Sequence, residues 1–372
     1  MKSFERIVKD DLMSNVQSNL DPLQFAYRPN RGVDDAISTM LDLIHSHLEA
    51  PSTFVRLLFI DFSSAFNCIQ PHILACILKD TYKIDSGLIC WLINFLTNRS
   101  QRVRVNGTLS DTLSSSTGSP QGCVLSALLF ILYTNQCQSN FAKRHIIKFA
   151  DDSVIVSLLN GDDSDHGPVL NDFIDCCKSS FLDINVSKTK EMHIDFRKKP
   201  SVTSPVIIND QAVEVVQQYK YLGTIIDNKL TFEPQVDAVC SKAHQRMFFY
   251  RKLRNFNVDK TFMKMFYSCF IESVLTFSFV SWYGSTTLKN KKRLQQVVKV
   301  CSKIANITLN ELNSLYKLRS LKKAKSILAD PSHPLTSEFV LLPSGRRFSM
   351  PKCTTNRHKN SFVPAAIGFL NS

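Results

Sequence analysis

Residues 145–149 (His-Ile-Ile-Lys-Phe) and 153–159 (Ser-Val-Ile-Val-Ser-Leu-Leu) are two apolar runs with only Ala150-Asp151-Asp152 between them. So short a connection predicts antiparallel strands joined by a tight hairpin, with two carboxylates at its tip. A third acid stands far upstream. The run from Thr53 to Phe62 is dense in strand formers, and its Leu57-Leu58-Phe59-Ile60 centre reads as a strand buried on both faces, ending at Asp61. Acids at the ends of strands in one sheet can converge. A like-charge pair at roughly 4 Å costs about 4 kcal/mol at an effective dielectric near 20, so such a cluster persists by holding a proton or divalent cations. Hard carboxylate oxygens suit Mg²⁺, which takes one or two carboxylates and completes its shell with phosphates and water. Each acid taken singly also has a plain structural role, as a turn residue or a strand end.

Around these strands the chain alternates helix and strand signals. Helices are predicted over Phe4 to Leu20 and Val33 to Glu49, separated by a turn-rich stretch from Asp21 to Gly32. Pro71 fits the first turn of another helix, Asp85 caps one running to Asn98, and Asn106-Gly107 marks a hairpin. A helix from Pro120 to about Asn135 is followed, after the acidic hairpin, by one from Asp162 and Asp163 to Leu182. Strands are predicted at Glu191 to Phe196, Val206 to Ile208 and Tyr219 to Ile226. Beyond Leu230 the pattern becomes long basic amphipathic helices, Glu233 to Phe256 and Lys289 to Ile304 among them. A domain boundary is placed there. The last forty residues, rich in Pro, Ser, Asn and basic residues, read as a loosely ordered extension.

Charge separates these regions more sharply than hydropathy does. Residues 241–330 carry 18 Lys and Arg against 4 Asp and Glu, while the rest of the chain is balanced, so a single region has the charge of a polyanion grip. A solvated helical surface is the plainer account. No apolar run reaches the roughly 18 to 20 residues of a membrane span, and the first residues carry no evident signal or transit peptide. A cytoplasmic or nuclear location is expected. The 11 cysteines contain no C-x-x-C pair and are expected to be reduced, mostly buried thiols.

Taken together, the motifs resemble those of reverse transcriptases from non-LTR (LINE-like) retrotransposons. Phe149-Ala150-Asp151-Asp152 is similar to that family's acidic hairpin, and Phe59-Ile60-Asp61-Phe62-Ser63-Ser64-Ala65-Phe66 to its first metal-binding motif. Upstream, Gln24-Phe25-Ala26-Tyr27-Arg28-Pro29 with Asp35-Ala36 resembles a finger motif. Gly118-Ser119-Pro120-Gln121-Gly122 followed by Leu125-Ser126 resembles the template and nucleotide contact. Asn185-x-x-Lys188-Thr189 and Tyr219-Lys220-Tyr221-Leu222-Gly223 resemble the next palm motif and the primer-grip strand. Six ordered motifs over about 200 residues make the resemblance specific, whereas Ala-Asp-Asp alone is a weak signal.

The resemblance implies an α+β polymerase right hand: an antiparallel palm sheet packed on helices, partial fingers over 1–52, palm with finger elements over 53–230, and a basic helical thumb over 231–330. It implies that Asp61, Asp151 and Asp152 bind two Mg²⁺, with Mn²⁺ as a possible substitute, and that Lys188 acts as general acid toward pyrophosphate. Phe66 would exclude a 2′-hydroxyl, and Gln121, Gly122 and Arg28 would contact nucleotide or template. Tyr221, Leu222 and Gly223 would hold the primer end, and Lys291, Lys292 and Arg293 would track the nucleic-acid backbone; a nuclear-localisation patch is the alternative for the last three. The implied partners are an RNA template, a DNA primer and deoxynucleoside triphosphates. Family members usually carry a strand-rich finger segment before the position of Phe4, and Ala127 stands where proline is common. The expectation is therefore an enzyme shortened at its front, with a catalytically inactive nucleic-acid-binding remnant as the alternative.

Overall fold

The computed structural model describes residues 2–161, 167–198 and 204–372. At its centre is a five-stranded sheet in the spatial order Glu214–Val215, Lys190–Asp195, Thr53–Ile60, Asp152–Asn160, Arg144–Phe149. All neighbours are antiparallel except Glu214–Val215, which runs parallel to Lys190–Asp195. Thr53–Ile60 is the middle strand and is buried along its whole length, as its Leu57-Leu58-Phe59-Ile60 centre predicts. Side chains alternate between faces with period two. Val55, Leu57 and Phe59 enter one apolar cluster, with helix Val33–His47 and the helices after residue 232, while Leu58 and Ile60 enter the other. That second cluster is closed by helices Lys2–Val16, Pro71–Asp80, Ser86–Leu96, Val124–Tyr133 and Gly167–Ser179.

The local signals place most elements. Pro71 stands in the first turn of its helix, and the Asp85 carboxylate accepts from the N–H groups of Gly87 and Leu88, closing the open end of the next. Asn106 and Gly107, both at positive φ, join strands Arg104–Val105 and Thr108–Leu109. The helix expected from Pro120 begins only at Val124, because Gly122 sits at φ +80°, outside any helical backbone. Tyr219 to Ile226 is not one strand but a hairpin, Gln218–Tyr221 paired with Thr224–Asp227. Its turn is Leu222-Gly223 at φ +46° and +82°, and the Gly223 Cα faces the Phe277 ring, where a Cβ would lie 2.9 Å from Cε1. The helix start expected at Asp162 and Asp163 lies outside the described residues.

Two expectations are corrected. Cys137 and Cys176 form a disulfide, because helix Gly167–Ser179 packs beside the end of Val124–Tyr133 and brings their Cα atoms to 5.8 Å; Cys76, Cys90 and Cys269 are exposed rather than buried. The residues beyond 350 are not loose. Helices Asn356–Lys359 and Phe362–Leu370 bury Phe362, Val363, Ala366 and Ile367 against Val280, Ala324 and Ile327. The Glu49 carboxylate anchors this segment, accepting from the backbones and hydroxyls of Thr354 and Thr355 and pairing with His358 at 3.1 Å. The change of character near Leu230 is a change from sheet to helix rather than a break in the core, since one apolar cluster runs from Phe59 to Leu312. Among the described residues no helix is long and apolar enough to cross a membrane.

Candidate active site

The acidic hairpin pairs Phe149 with Asp152, so Ala150 and Asp151 alone make the turn, with Ala150 at φ +58°. This unfavourable backbone is held from outside. The Gln24 side-chain oxygen accepts from the Ala150 N–H at 3.2 Å, and Phe25 and Lys148 exchange a backbone bond at 2.9 Å, so the finger motif clamps the hairpin. Beneath it the buried Lys148 ammonium pairs with Asp21 at 2.8 Å and donates to the carbonyls of Thr134 and Cys137.

Ile60 pairs with Ser153, and one further step of that register sets Asp61 beside Asp152. Asp61 is fixed through its backbone: Asn185 N–H donates to its carbonyl at 2.8 Å, and its own N–H donates to the Thr189 hydroxyl. The segment that holds Asp61 also delivers Lys188, whose Nζ stands 3.7 Å from Asp61 Oδ2. Lys190, the neighbouring candidate, is instead paired with Glu214 at 2.8 Å.

The electrostatics show that the acids feel one another. Burial first, then the charges of Asp151 and Asp61, push the Asp152 carboxyl up to about 6. Burial and then the charges of Asp152 and Asp61 raise the Tyr219 hydroxyl, and Tyr219 stacks on Phe59 with ring centroids 4.3 Å apart. The Gln218–Tyr221 hairpin thus forms one wall beside the carboxylates. Asp61 Oδ2 is buried and accepts no hydrogen bond, and the Lys188 ammonium at 3.7 Å is its ion-pair partner. Among the described residues no group of three His, Cys, Asp or Glu side chains is placed to hold a metal ion. Carboxylates as such suit a hard cation that takes much of its shell from phosphate and water.

A sequence model of the family described as reverse transcriptase (RNA-dependent DNA polymerase) matches residues 1–226. The chain belongs to this family. Its curated relatives include the probable RNA-directed DNA polymerases of the X-element and BS transposons of Drosophila melanogaster, 24% and 25% identical. Each match covers 66% of this chain and 28% of the relative. The polymerase of the mobile element jockey from the same organism is 22% identical, over 63% of this chain and 26% of its own. The reverse transcriptase chain therefore spans little more than a quarter of these relatives. Solved structures resembling it include Candida tropicalis telomerase in complex with a telomeric RNA fragment, at TM-score 0.45 and 11% identity over 88% of this chain and 55% of that one. Apo telomerase from the same organism gives 0.44 and 13%, over 91% and 61%.

The other candidate residues divide into those beside this site and those committed elsewhere. The Phe66 ring packs against Phe130 at 4.7 Å and is half-buried, and its carbonyl accepts from Ser119 N–H in the Gly118 to Gly122 loop. Gln121 and Gly122 are exposed on that loop, and nothing lies within 4 Å of where a Gly122 Cβ would stand. Tyr221 is buried at the hairpin, with Leu222 and Gly223 forming its tip. Arg28, expected on template or phosphate, is buried and donates to the Asp21 carbonyl at 2.8 Å; burial first and then Arg31 lower its proton affinity to about 10. It braces the finger loop. Lys291 donates to the Gly284 carbonyl and lies over the Tyr283 ring, while Arg293 pairs with Asp237 at 2.6 Å, so of that triplet Lys292 is the exposed cation.

The sequence reading also missed residues that build the site. Glu5, almost wholly buried, accepts from Val124 N–H at 2.6 Å and caps the helix behind the Gly118 to Gly122 loop. An acid in the first turn of an N-terminal helix carries no signal of a partner more than a hundred residues away. Lys148 did carry one, as a lone charge inside an apolar strand.

Proposed function

We propose that this chain carries out RNA-templated DNA synthesis, joining a deoxynucleotide to a primer 3′-hydroxyl at Asp61, Asp151 and Asp152. The observation that carries the proposal is the register that sets Asp61 beside the acidic hairpin, where burial and then the charges of Asp151 and Asp61 raise the Asp152 carboxyl. These carboxylates would hold two Mg²⁺, or Mn²⁺ in its place. When bound, such a pair stabilises charge on the attacking and leaving oxygens of an in-line displacement.

The chain's own residues supply the rest. The primer hydroxyl gives its proton to water and its oxygen bonds to the α-phosphorus as the bond to pyrophosphate breaks, and Lys188, exposed beside Asp61, is the group able to give the departing oxygen a proton. Phe66, steadied by Phe130, walls the sugar side and disfavours a 2′-hydroxyl. Gly122 leaves space for substrate to approach the backbone, with Gln121 beside it. The Tyr221-Leu222-Gly223 tip positions the primer end, while Lys292 and its basic neighbours face the RNA template and DNA primer backbones.

Primer extension on an RNA template with Mg²⁺ and deoxynucleotides tests the proposal. Extension is expected from the native chain and not from Asp151→Ala. Equal signals from the two, or none from either, overturn it, and salt-sensitive binding without extension leaves the chain a nucleic-acid-binding protein only.

A further inference from the structure

The polymerase reading leaves unused a run of aromatic rings turned to solvent inside the basic region. Phe249 of helix Glu233–Asn255 and Phe256 just past its end are 57% and 78% exposed, and Phe262 and Phe270 in the next helical segments are 61% and 51% exposed. Rings that serve the core are buried, so an exposed series of this kind marks a contact surface.

The rings are ordered relative to charge. Lys242, Arg246 and Phe249 follow one another at spacings of four and three, which places them on one stripe of the helix. The Arg246 guanidinium donates to the Phe270 carbonyl and ties the second segment against that stripe. Phe270 is itself held in place, stacked on Phe266 at 4.7 Å, which stacks on Tyr250 at 5.9 Å. At one end, Lys242 and Arg246 line a cleft of about 600 Å³ with Lys220, Gly223 and Phe277, and no acid lines it. That end opens at the hairpin tip beside the carboxylates. Between residues 238 and 271 the single acid is Asp259, whose carboxylate is engaged by the Thr261 N–H at 2.7 Å.

Cations without counter-charge select a polyanion, and exposed rings select flat π faces. A duplex hides the faces of its bases, whereas an unpaired strand offers a base face and a phosphate at every nucleotide. A membrane surface offers the charge without the planar groups. We propose that this face binds an unpaired nucleic-acid strand, with bases stacked on Phe249 and Phe270 and phosphates on Lys242 and Arg246. The site goes beyond the polymerase reading and does not depend on turnover.

Fluorescence anisotropy with a labelled uridine oligomer of about 20 nucleotides, measured without Mg²⁺, tests it. Asp151→Ala, which abolishes extension, is expected to bind like the native chain, separating this proposal from the polymerase reading. Phe249→Ala and Phe270→Ala are each expected to weaken binding by about tenfold, and Trp at either position to restore it. An abasic oligomer of equal length, which keeps the phosphates, is expected to bind about tenfold more weakly or worse. Replacing both Lys242 and Arg246 by Gln is expected to flatten the log–log salt dependence by about 1.4, or about 0.7 per phosphate. Circular dichroism of the Ala variants checks that they fold. Ala variants within about twofold of native affinity, or equal affinity for the abasic oligomer, overturn the proposal. Binding to vesicles of phosphatidylcholine and phosphatidylserine, with none to RNA, overturns it in favour of a membrane face.

Discussion

Asp152 sits where burial, Asp151 and Asp61 together push its carboxyl up to about 6, well above the value of about 3.9 for an unfolded chain. The folded state therefore binds the extra proton, and the stability this gives is present below about pH 4 and lost as pH rises through about 6. At neutral pH the ionised group opposes folding unless a cation offsets it. Asp152→Asn is accordingly expected to raise the melting temperature at pH 7.5, with the gain shrinking as pH falls from about 6 to about 4. Mg²⁺ should raise the native melting temperature more than that of Asp61→Asn or Asp152→Asn; a gain independent of both pH and carboxylate refutes the coupling. Two loop glycines separate strain from collision. Gly122 at φ +80° has open space beside it, so Gly122→Ala should cost about 1 kcal/mol of backbone strain. Gly118 at φ +71° would put a Cβ 2.7 Å from the Asn67 backbone, so Gly118→Ala should cost at least about 2 kcal/mol by urea denaturation.

At the level of elements, the site is assembled by segments that reach it from far along the chain. Helix Lys2–Val16 supports the Gly118 to Gly122 loop through Glu5, which caps the start of Val124–Tyr133, and packs Val8, Leu12 and Val16 into the same cluster as that helix. Glu5→Ala should therefore destabilise the chain by about 1 to 3 kcal/mol, measured by urea denaturation, although Glu5 touches none of the acids. An effect below a few tenths would show that the cap is idle. The central strand and the acidic hairpin were legible because period, apolarity and a three-residue connection constrain the backbone locally. Leu222-Gly223 was misread inside a strand because four residues on either side carry strand-like side chains and the turn rests on one glycine. The partners of Arg28, Lys291 and Arg293 were not legible for a different reason: a sequence shows a charge but not the carbonyl or carboxylate that engages it. The packed C-terminal helices escaped because the apolar run Phe362 to Leu370 is short and follows a polar stretch rich in Pro, Ser and basic residues, and the partners at Val280, Ala324 and Ile327 are distant in sequence.

Across the whole molecule, the helices before the central strand and those after residue 232 are not separate bodies hung on a sheet. Asp35 of the finger motif pairs with Lys323 at 2.8 Å and meets His333, Arg31 reaches Asp330, and Glu49 fastens the segment that ends in Phe362–Leu370. The sheet is equally non-local. Among its pairings only the acidic hairpin joins neighbouring segments, and Arg56 waits for Glu191, 135 residues away, before its Nε can donate at 2.6 Å. In the finished fold that buried pair itself contributes little net stability, but Glu191 also accepts from the Val206 N–H and pairs with His193, so replacing both members by Leu should lower the melting temperature by the cost of those lost bonds. During folding the charge has another consequence. Thr53–Ile60 is a sticky apolar strand with no neighbour until much later segments arrive, and Arg56 is its one charge. It acts as a gatekeeper against self-association while the strand is bare. The double Leu variant should consequently refold with a lower soluble yield at micromolar concentration, and equal yields on dilution from urea would remove that role from Arg56.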